Sequence, residues 1–516
     1  MSFGRKYTPA VFRLFVPLRT PSDPADSFSV ENSVVSSNPK KHHETAVEDR
    51  IPLREKIGFT MGRLGMEDAT HTAFGLITPI FNMILGVSPA AISTAMFIQS
   101  MLTSFLGPLI GQFSDNFRSP WGRRKPLILI FSFPLAFFSA LLFWFPHDAS
   151  PDFLFYWLLL ILPLISLSCM FYGTPYGALS VEATTDYHER VRLGVFVGFF
   201  AATAAIGYQW IFPFIQSSFF HDPREGVRWV SATLGVICLV MSLAPFFLCP
   251  EKRYATQTRK QPKTPFLRNL KEASKNREFL IVVSIKFFAF FCYAIVAGLG
   301  MYMNTYFIFG GDVKKAAVTY GFLGTAYVVA GIVSLFLYKY LAQHLGKKLT
   351  LQIAAGILMA GCLSKLVVYD PNHPWLQLIV LIANGTAVTG LHFMTGTMFG
   401  DIIDYDEYLF GVRREALYGS LFALSEKIGG TFGGLISGWL LVWIHFDANK
   451  GAQSPETLGW MQFYYFLFPF IGALFALLAI SFYNITEDRA YEIKDVLKKR
   501  NAEKAEAETL LNAPEA

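Results

Sequence analysis

About twelve apolar segments follow one another between residues 58 and 484, each near or above the ~20 residues that a bilayer requires of a spanning helix. They run over 58–86, 89–113, 127–146, 153–178, 193–220 and 229–249, then over 279–309, 316–342, 349–369, 376–402, 416–446 and 459–484. Inside a bilayer the backbone must satisfy its own hydrogen bonds, so such segments fold as helices. Charged residues make up 16% of the chain, against roughly 25% in soluble proteins. The expectation is an all-α polytopic membrane protein. The net charge of +6 then reflects loop distribution and does not point to nucleic acid. The five Cys lie in or at the ends of apolar segments without metal-ligand spacing, which reads as small buried hydrophobes and neither a metal centre nor a disulfide framework.

The remaining sequence divides the chain. Residues 1–53 are polar and read as a disordered cytoplasmic leader. A six-helix half follows over 54–250, then a Lys-, Arg-, Gln- and Pro-rich linker over 251–278. A second six-helix half covers 279–485, and a charged tail, helical or disordered, covers 486–516. With both termini cytoplasmic, inside loops hold about 20 basic residues and outside loops about 5, as the positive-inside rule requires. The expected location is the plasma (inner) membrane.

Two short echoes tie the halves together. Asp186-Tyr187-His188-Glu189 is matched by Asp404-Tyr405-Asp406-Glu407, and Gly122-Arg123-Arg124 by Gly346-Lys347-Lys348, at nearly the same offset. Paired halves around a midplane site are a transporter architecture. The stretch Gly107–Pro126 holds a short cationic loop between two apolar segments, as expected on a cytoplasmic face. Its Arg118, Arg123, Arg124 and Lys125 suit carboxylates and helix ends beneath a membrane.

With these motifs in order, the chain resembles the glycoside–pentoside–hexuronide:cation symporters, a branch of the major facilitator superfamily that includes melibiose permease. The residues that carry the resemblance are Arg118 to Pro126, Pro175 to Leu179 with Thr185 to Arg190, Asp401 to Glu407 with Gly411 to Glu415, and Lys427. The resemblance implies a major facilitator fold of about twelve transmembrane helices in two six-helix halves. It also implies alternating-access transport of a small solute, a sugar or glycoside. Plant sucrose carriers and sodium-dependent lysophospholipid carriers resemble the same group, so a lysolipid or other amphiphile stays open as substrate.

Charges inside spanning segments are costly and point to function. Arg63, Glu67, Asp68 and His71 lie on the first segment, with Arg63 and Glu67 one helical turn apart and His71 continuing the row. Glu67 or Asp68 is the candidate to accept sugar hydroxyls or a proton, and the resemblance places Glu67 near the family's sugar-binding acid. Lys427, beside Glu426, is the deep cation of the second half. Its partner is read as Glu67, Asp68 or a substrate oxygen, or else as Glu426 in a pair that touches no substrate. Lys286 and Lys365 are expected to snorkel. Tyr172, Tyr176, Gln209, Trp210, Tyr302, Asn304, Asn384 and His392 are candidates to line the pathway.

Near the cytoplasmic face, Asp115, Arg118, Arg123, Arg124, Glu182, Asp186, Glu189 and Arg190 form one gating set. Asp401, Asp404, Glu407, Arg413 and Arg414 form the other. Ion pairs between the sets are expected when the cavity opens outward and to break in the other state.

The chain departs from the resembled family at the sodium site. The family's carboxylates on the second helix fall here on Thr103 and Gly107, and no Asp or Glu occurs from Ser88 to Ser114. A hard cation needs such oxygens, so sodium at that site is not expected. The remaining readings are proton coupling through Glu67 or Asp68 and uncoupled facilitated diffusion. A non-transporting receptor or scaffold is the more distant alternative. No GxSxG, HExxH, paired CxxC or phosphate loop is present, so no enzyme, cofactor or protein partner is implied.

Overall fold

Helix starts are written into the sequence as prolines and capping side chains. Pro89, Pro151, Pro223 and Pro455 open helices, where a missing N–H costs nothing. Ser150, Asp186, Asp222, Asn276 and Ser454 accept hydrogen bonds from first-turn backbone N–H groups. The computed structural model describes residues 50–251 and 273–511, apart from positions 185, 412 and 449. The leader up to 49, linker residues 252–272 and the last five residues lie outside the described residues.

The helices of the first half are α1 (Leu53–Ile77), α2 (Pro89–Asn116), α3 (Lys125–Leu141), α4 (Pro151–Val181), α5 (Tyr187–Tyr208) and α6 (Pro223–Leu248). The second half begins with α7 (Arg277–Ala297). The helical run Val313–Val368 then breaks at Gly346, whose φ of 77° suits only a residue without Cβ. It is therefore two helices, α8 (313–345) and α9 (347–368). They are followed by α10 (Gln377–Phe410), α11 (Glu415–Trp443), α12 (Pro455–Ser481) and a polar helix, α13 (Glu487–Leu511).

Among the described residues, eight helical runs are long and apolar enough to cross a membrane. Counting α8 and α9 separately and adding the shorter α3 gives ten. Helices α1 and α11 complete the twelve; they carry the charges discussed below.

Both halves end their first helix in a wider π-helical segment, Thr78–Ile84 and Met303–Ile308. In each, an Asn amide fixes the chain that follows: Asn82 donates to Val87 O at 2.7 Å and Asn304 to Ala316 O at 2.8 Å. The structure thus repeats internally where the sequence echoes were short. Two ends run past the apolar pattern. Helix α5 begins at 187, and α10 continues to 410, because paired charges sustain turns that apolar burial would not.

The bundle has a near end, where residues 50–56 and α13 lie, and a far end. At the far end one apolar core draws on both halves, with Ile77, Ile80, Phe81 and Leu158 meeting Ile295, Leu299, Tyr302 and Leu440. At the near end there are two separate cores, one around Phe59, Leu135 and Tyr172, the other around Ile285, Leu351 and Met398. The halves are therefore joined at the far end and packed independently at the near end. At the join, Gly438 of α11 lies so close to Ser93 and the Pro89 carbonyl of α2 that a Cβ there has no room. All five cysteines are free, and four are buried.

Candidate functional site

Helix α1 distributes its charges over two faces. Arg63 Nε donates to Glu67 Oε1 at 2.7 Å, one turn apart. On the same row the exposed His71 ring stacks on Tyr208 of α5, centroids 4.5 Å apart and planes within 13°. Asp68 is turned about 100° away by the helix pitch and is only 3% exposed. Its Oδ2 has no hydrogen-bond partner among the described residues. The structure thus separates the two acids that the sequence left as alternatives: Glu67 is ion-paired and partly accessible, and Asp68 is enclosed.

The second half answers with a cluster on α7, α10 and α11. Lys286 does not snorkel, contrary to expectation. It is buried, its Nζ bonds Glu426 Oε2 at 2.7 Å, and it lies 3.8 Å from the centroid of the Phe422 ring. Glu426 therefore pairs across helices with Lys286 and not with its neighbour Lys427, since adjacent residues on a helix diverge. Lys427 instead crosses to the first half, where Nζ donates to Thr103 Oγ1 at 3.3 Å. His392 is exposed and meets Phe290, one turn beyond Lys286 on α7, edge-on at 5.8 Å. Lys365 also fails to snorkel; it is fully buried and donates to the Tyr465 carbonyl at 2.9 Å.

Several aromatic and amide candidates are struts. Tyr172 is fully buried and donates to the carbonyls of Ser242 and Gly62 at 3.1 and 3.3 Å, tying α4 to α6 and α1. Tyr176 donates to Phe59 O at 2.6 Å. Tyr302 donates to Asn82 Oδ1 at 2.8 Å and Trp210 Nε1 to Thr325 Oγ1 at 3.0 Å, both between the halves at the far end. Ser100 and Thr431 add a 2.5 Å hydroxyl contact between α2 and α11. Asn304 is committed to Ala316. Gln209 and Asn384 line a small chamber in the second half.

The near-end charges pair within each half. Arg124 is buried; it bonds Asp115 at 3.0 Å, Ser114 at 3.1 Å and Glu182 at 3.1 Å, and Arg123 reaches Glu182 at 2.7 Å. Arg118 folds onto the carbonyls of Asp115 and Phe117. Asp186 caps α5 through Glu189 N. Glu189 holds Lys56 at 2.7 Å and Ile51 N at 3.2 Å, and Arg190 donates to Thr184 O.

In the second half, Asp401 takes Lys347, with Lys494 of α13 at 3.7 Å. This repeats the Arg123–Glu182 link, from the loop after the half's second helix to the end of its fourth. Arg414 and Tyr418 both bond Asp406, at 2.8 and 2.6 Å. Arg413 bonds Asp404, Glu407 and Glu415. Burial alone would lower the Arg413 pKa, but these carboxylates hold it above its usual value. Asp406, Lys347 and Glu251, whose carboxylate accepts from the backbone N–H groups of Arg123, Arg124 and Lys125, were not among the site residues expected from sequence. The Gly346-Lys347 echo pointed to the second and the Asp404–Glu407 echo contained the first, whose burial marks it as the paired acid.

The profile of one protein family, described as MFS/sugar transport protein, matches residues 58–487. The isoprimeverose transporter of Lactiplantibacillus pentosus is 23% identical, with 93% of this chain and 99% of that protein covered. The glucuronide carrier protein homolog of Escherichia coli strain K12 is 24% identical, covering 87% of this chain and 96% of its own length. Among solved structures, the nucleoside transporter NupG superposes with a TM-score of 0.59 at 15% identity over 84% of this chain and 99% of its own, a likeness of fold.

Proposed function

Since the chain belongs to the MFS/sugar transport protein family, we propose that it is a secondary transporter that carries a sugar or glycoside by alternating access, driven by protons and not by sodium at the second helix. It is an integral membrane protein, and the reading places its near end at the cytoplasmic face. The observation that carries the proposal is the division of the apolar interior into one shared far-end core and two separate near-end cores. A bundle joined at one end and parted at the other is one of the two states alternating access needs. The within-half pairing of the near-end charges fits that state, because each set is free to re-pair when the near end closes.

The substrate reading rests on the names of the relatives and on the cleft chemistry. Glu67, His71 and His392 supply acceptors, and Tyr208 and Phe290 supply ring faces, the mixture a polyol needs. An alkyl tail would gain nothing from the ion pairs Arg63–Glu67 and Lys286–Glu426, which disfavours an amphiphile. Against sodium stands the Lys427 ammonium at Thr103, where the resembled carriers have a carboxylate. For a proton, the enclosed Asp68 is the strongest acceptor candidate, because it is buried within the first half and its Oδ2 has no hydrogen-bond partner among the described residues.

Reconstituted vesicles test this with labelled glycosides under imposed pH or sodium gradients. Accumulation driven by the pH gradient alone is expected. Accumulation driven by sodium would overturn the ion assignment, and equilibration without accumulation would favour the uncoupled carrier. Lysolipid uptake without sugar uptake would overturn the substrate. Failure to move any solute would favour a receptor.

A further inference from the structure

A polar chamber of ≈ 210 Å³ lies inside the second half, built from α7, α8, α9, α10 and α12, with Gln209 of the first half closing one side. Ala297 and Tyr320 are walls both of this chamber and of a cavity of ≈ 410 Å³ between the halves at the far end. The chamber thus adjoins the far-end cavity between the halves, and Glu67, His71, His392 and Lys427 are not among its walls. Its size equals about seven waters at ~30 Å³ each, room for a compact molecule.

Three buried groups in its wall are left wanting a partner. Lys365 is 1% exposed; its Nζ spends one hydrogen on the Tyr465 carbonyl and rests 3.7 Å from that ring's centroid. No ion pair to Lys365 is found among the described residues, so a buried ammonium stands without a counter-charge.

The second group is the Gln377 amide, whose orientation is fixed by a chain of bonds. Asn304 Nδ2 donates to the Ala316 carbonyl, so Asn304 Oδ1 is an acceptor. Gln377 Nε2 donates to that oxygen at 3.2 Å and to Pro374 O at 2.9 Å, which uses both amide hydrogens. Gln377 Oε1 is left with no partner in a fully buried side chain. Asn384 Oδ1 is the third such group, set against Gly361, one turn before Lys365 on α9.

The phenols add donors. Tyr369 donates to Tyr465 at 3.1 Å and Tyr293 to Tyr327 at 3.4 Å, so each pair leaves one hydroxyl hydrogen uncommitted.

We infer that this chamber is a binding site for a compact hydroxycarboxylate. The carboxylate neutralises Lys365 and accepts from the free phenol hydrogens; the ligand's hydroxyls donate to Gln377 Oε1 and Asn384 Oδ1. Neither half of that chemistry suffices alone. A neutral polyol leaves the ammonium without a counter-charge, and a simple anion leaves two amide oxygens unpaired. The inference goes beyond the transport reading and does not depend on it, because its readout is binding.

The test uses the full-length protein in lipid nanodiscs, with glycerate, glycerol and acetate as probes, by titration calorimetry and thermal unfolding. Glycerate is expected to bind and raise Tm, with glycerol and acetate weaker by about tenfold or more. Lys365→Met is expected to lose glycerate binding. Asn384→Asp supplies a carboxylate within the chamber, so it is expected to raise the Tm of the ligand-free protein and to abolish glycerate binding. That variant keeps the test decisive where Lys365→Met folds poorly. No glycerate binding by the unsubstituted protein, equal binding of glycerol, or undiminished glycerate binding by Asn384→Asp would each overturn the inference.

Discussion

Lys427 Nζ donates to Thr103 Oγ1 at 3.3 Å, so an ammonium on α11 rests on a neutral hydroxyl of α2, across the boundary between the halves. The bond joins the two helices just where the shared far-end packing gives way. A cation held by a hydroxyl is free to be released as the halves move, whereas one held by a carboxylate is not. Lys427→Met is therefore expected to lower initial uptake rates by about tenfold, the scale of one lost charge-assisted hydrogen bond. Thr103→Asp is expected to slow turnover by fastening α2 to α11. Vesicle uptake at matched protein density checks both; rates within about twofold of the unsubstituted protein would remove Lys427 from the cycle.

The buried Arg414–Asp406 pair gives a stability prediction. Arg414→Met leaves Asp406, 1% exposed, with Tyr418 as its remaining side-chain bond seen here. Breaking a buried pair in this way costs about 3–5 kcal/mol. Asp406→Asn with Arg414→Met is expected to recover much of that loss. Thermal unfolding in detergent reads both variants, and a single substitution as stable as the parent would show that the pair contributes little.

Gly438 controls the far end. With Ser93 and Pro89 pressed against it, Gly438→Val must push α11 away from α2. The expected result is a far end held open and transport stopped. A cysteine placed at Ser437, which lines the far-end cavity, should label several-fold faster with an impermeant thiol reagent applied from that side. Unchanged labelling would mean that this contact does not set the closed state.

Asp68 and Glu67 are expected to separate on substitution. Asp68→Asn should keep substrate exchange while losing accumulation driven by a pH gradient, because the enclosed acid is the proton's candidate seat. Glu67→Gln should weaken substrate affinity and leave Arg63 without its 2.7 Å partner. Counterflow and gradient-driven uptake distinguish them; equal losses in both assays would return the two acids to one role.

The twelve helices were legible because bilayer length and proline punctuation act locally, and both are in the sequence. The row Arg63, Glu67 and His71 was legible for the same reason, since helical spacing alone aligns it. What a helix meets on its other side was not. Tyr172 reads as a pathway aromatic until α6 is seen to offer it the Ser242 carbonyl. Lys286 and Lys365 sit where a long side chain would reach the surface, and only the packing shows Glu426 and Tyr465 intercepting them. Long-range partners are decided by tertiary contact, and no local spacing encodes them.

The Glu251 carboxylate, bonded to three successive N–H groups at the start of α3, has a mechanical consequence. It welds the chain three residues past the end of α6 to the start of α3, so a pull arriving from beyond residue 251 falls on the first half as one body and does not unwind α6.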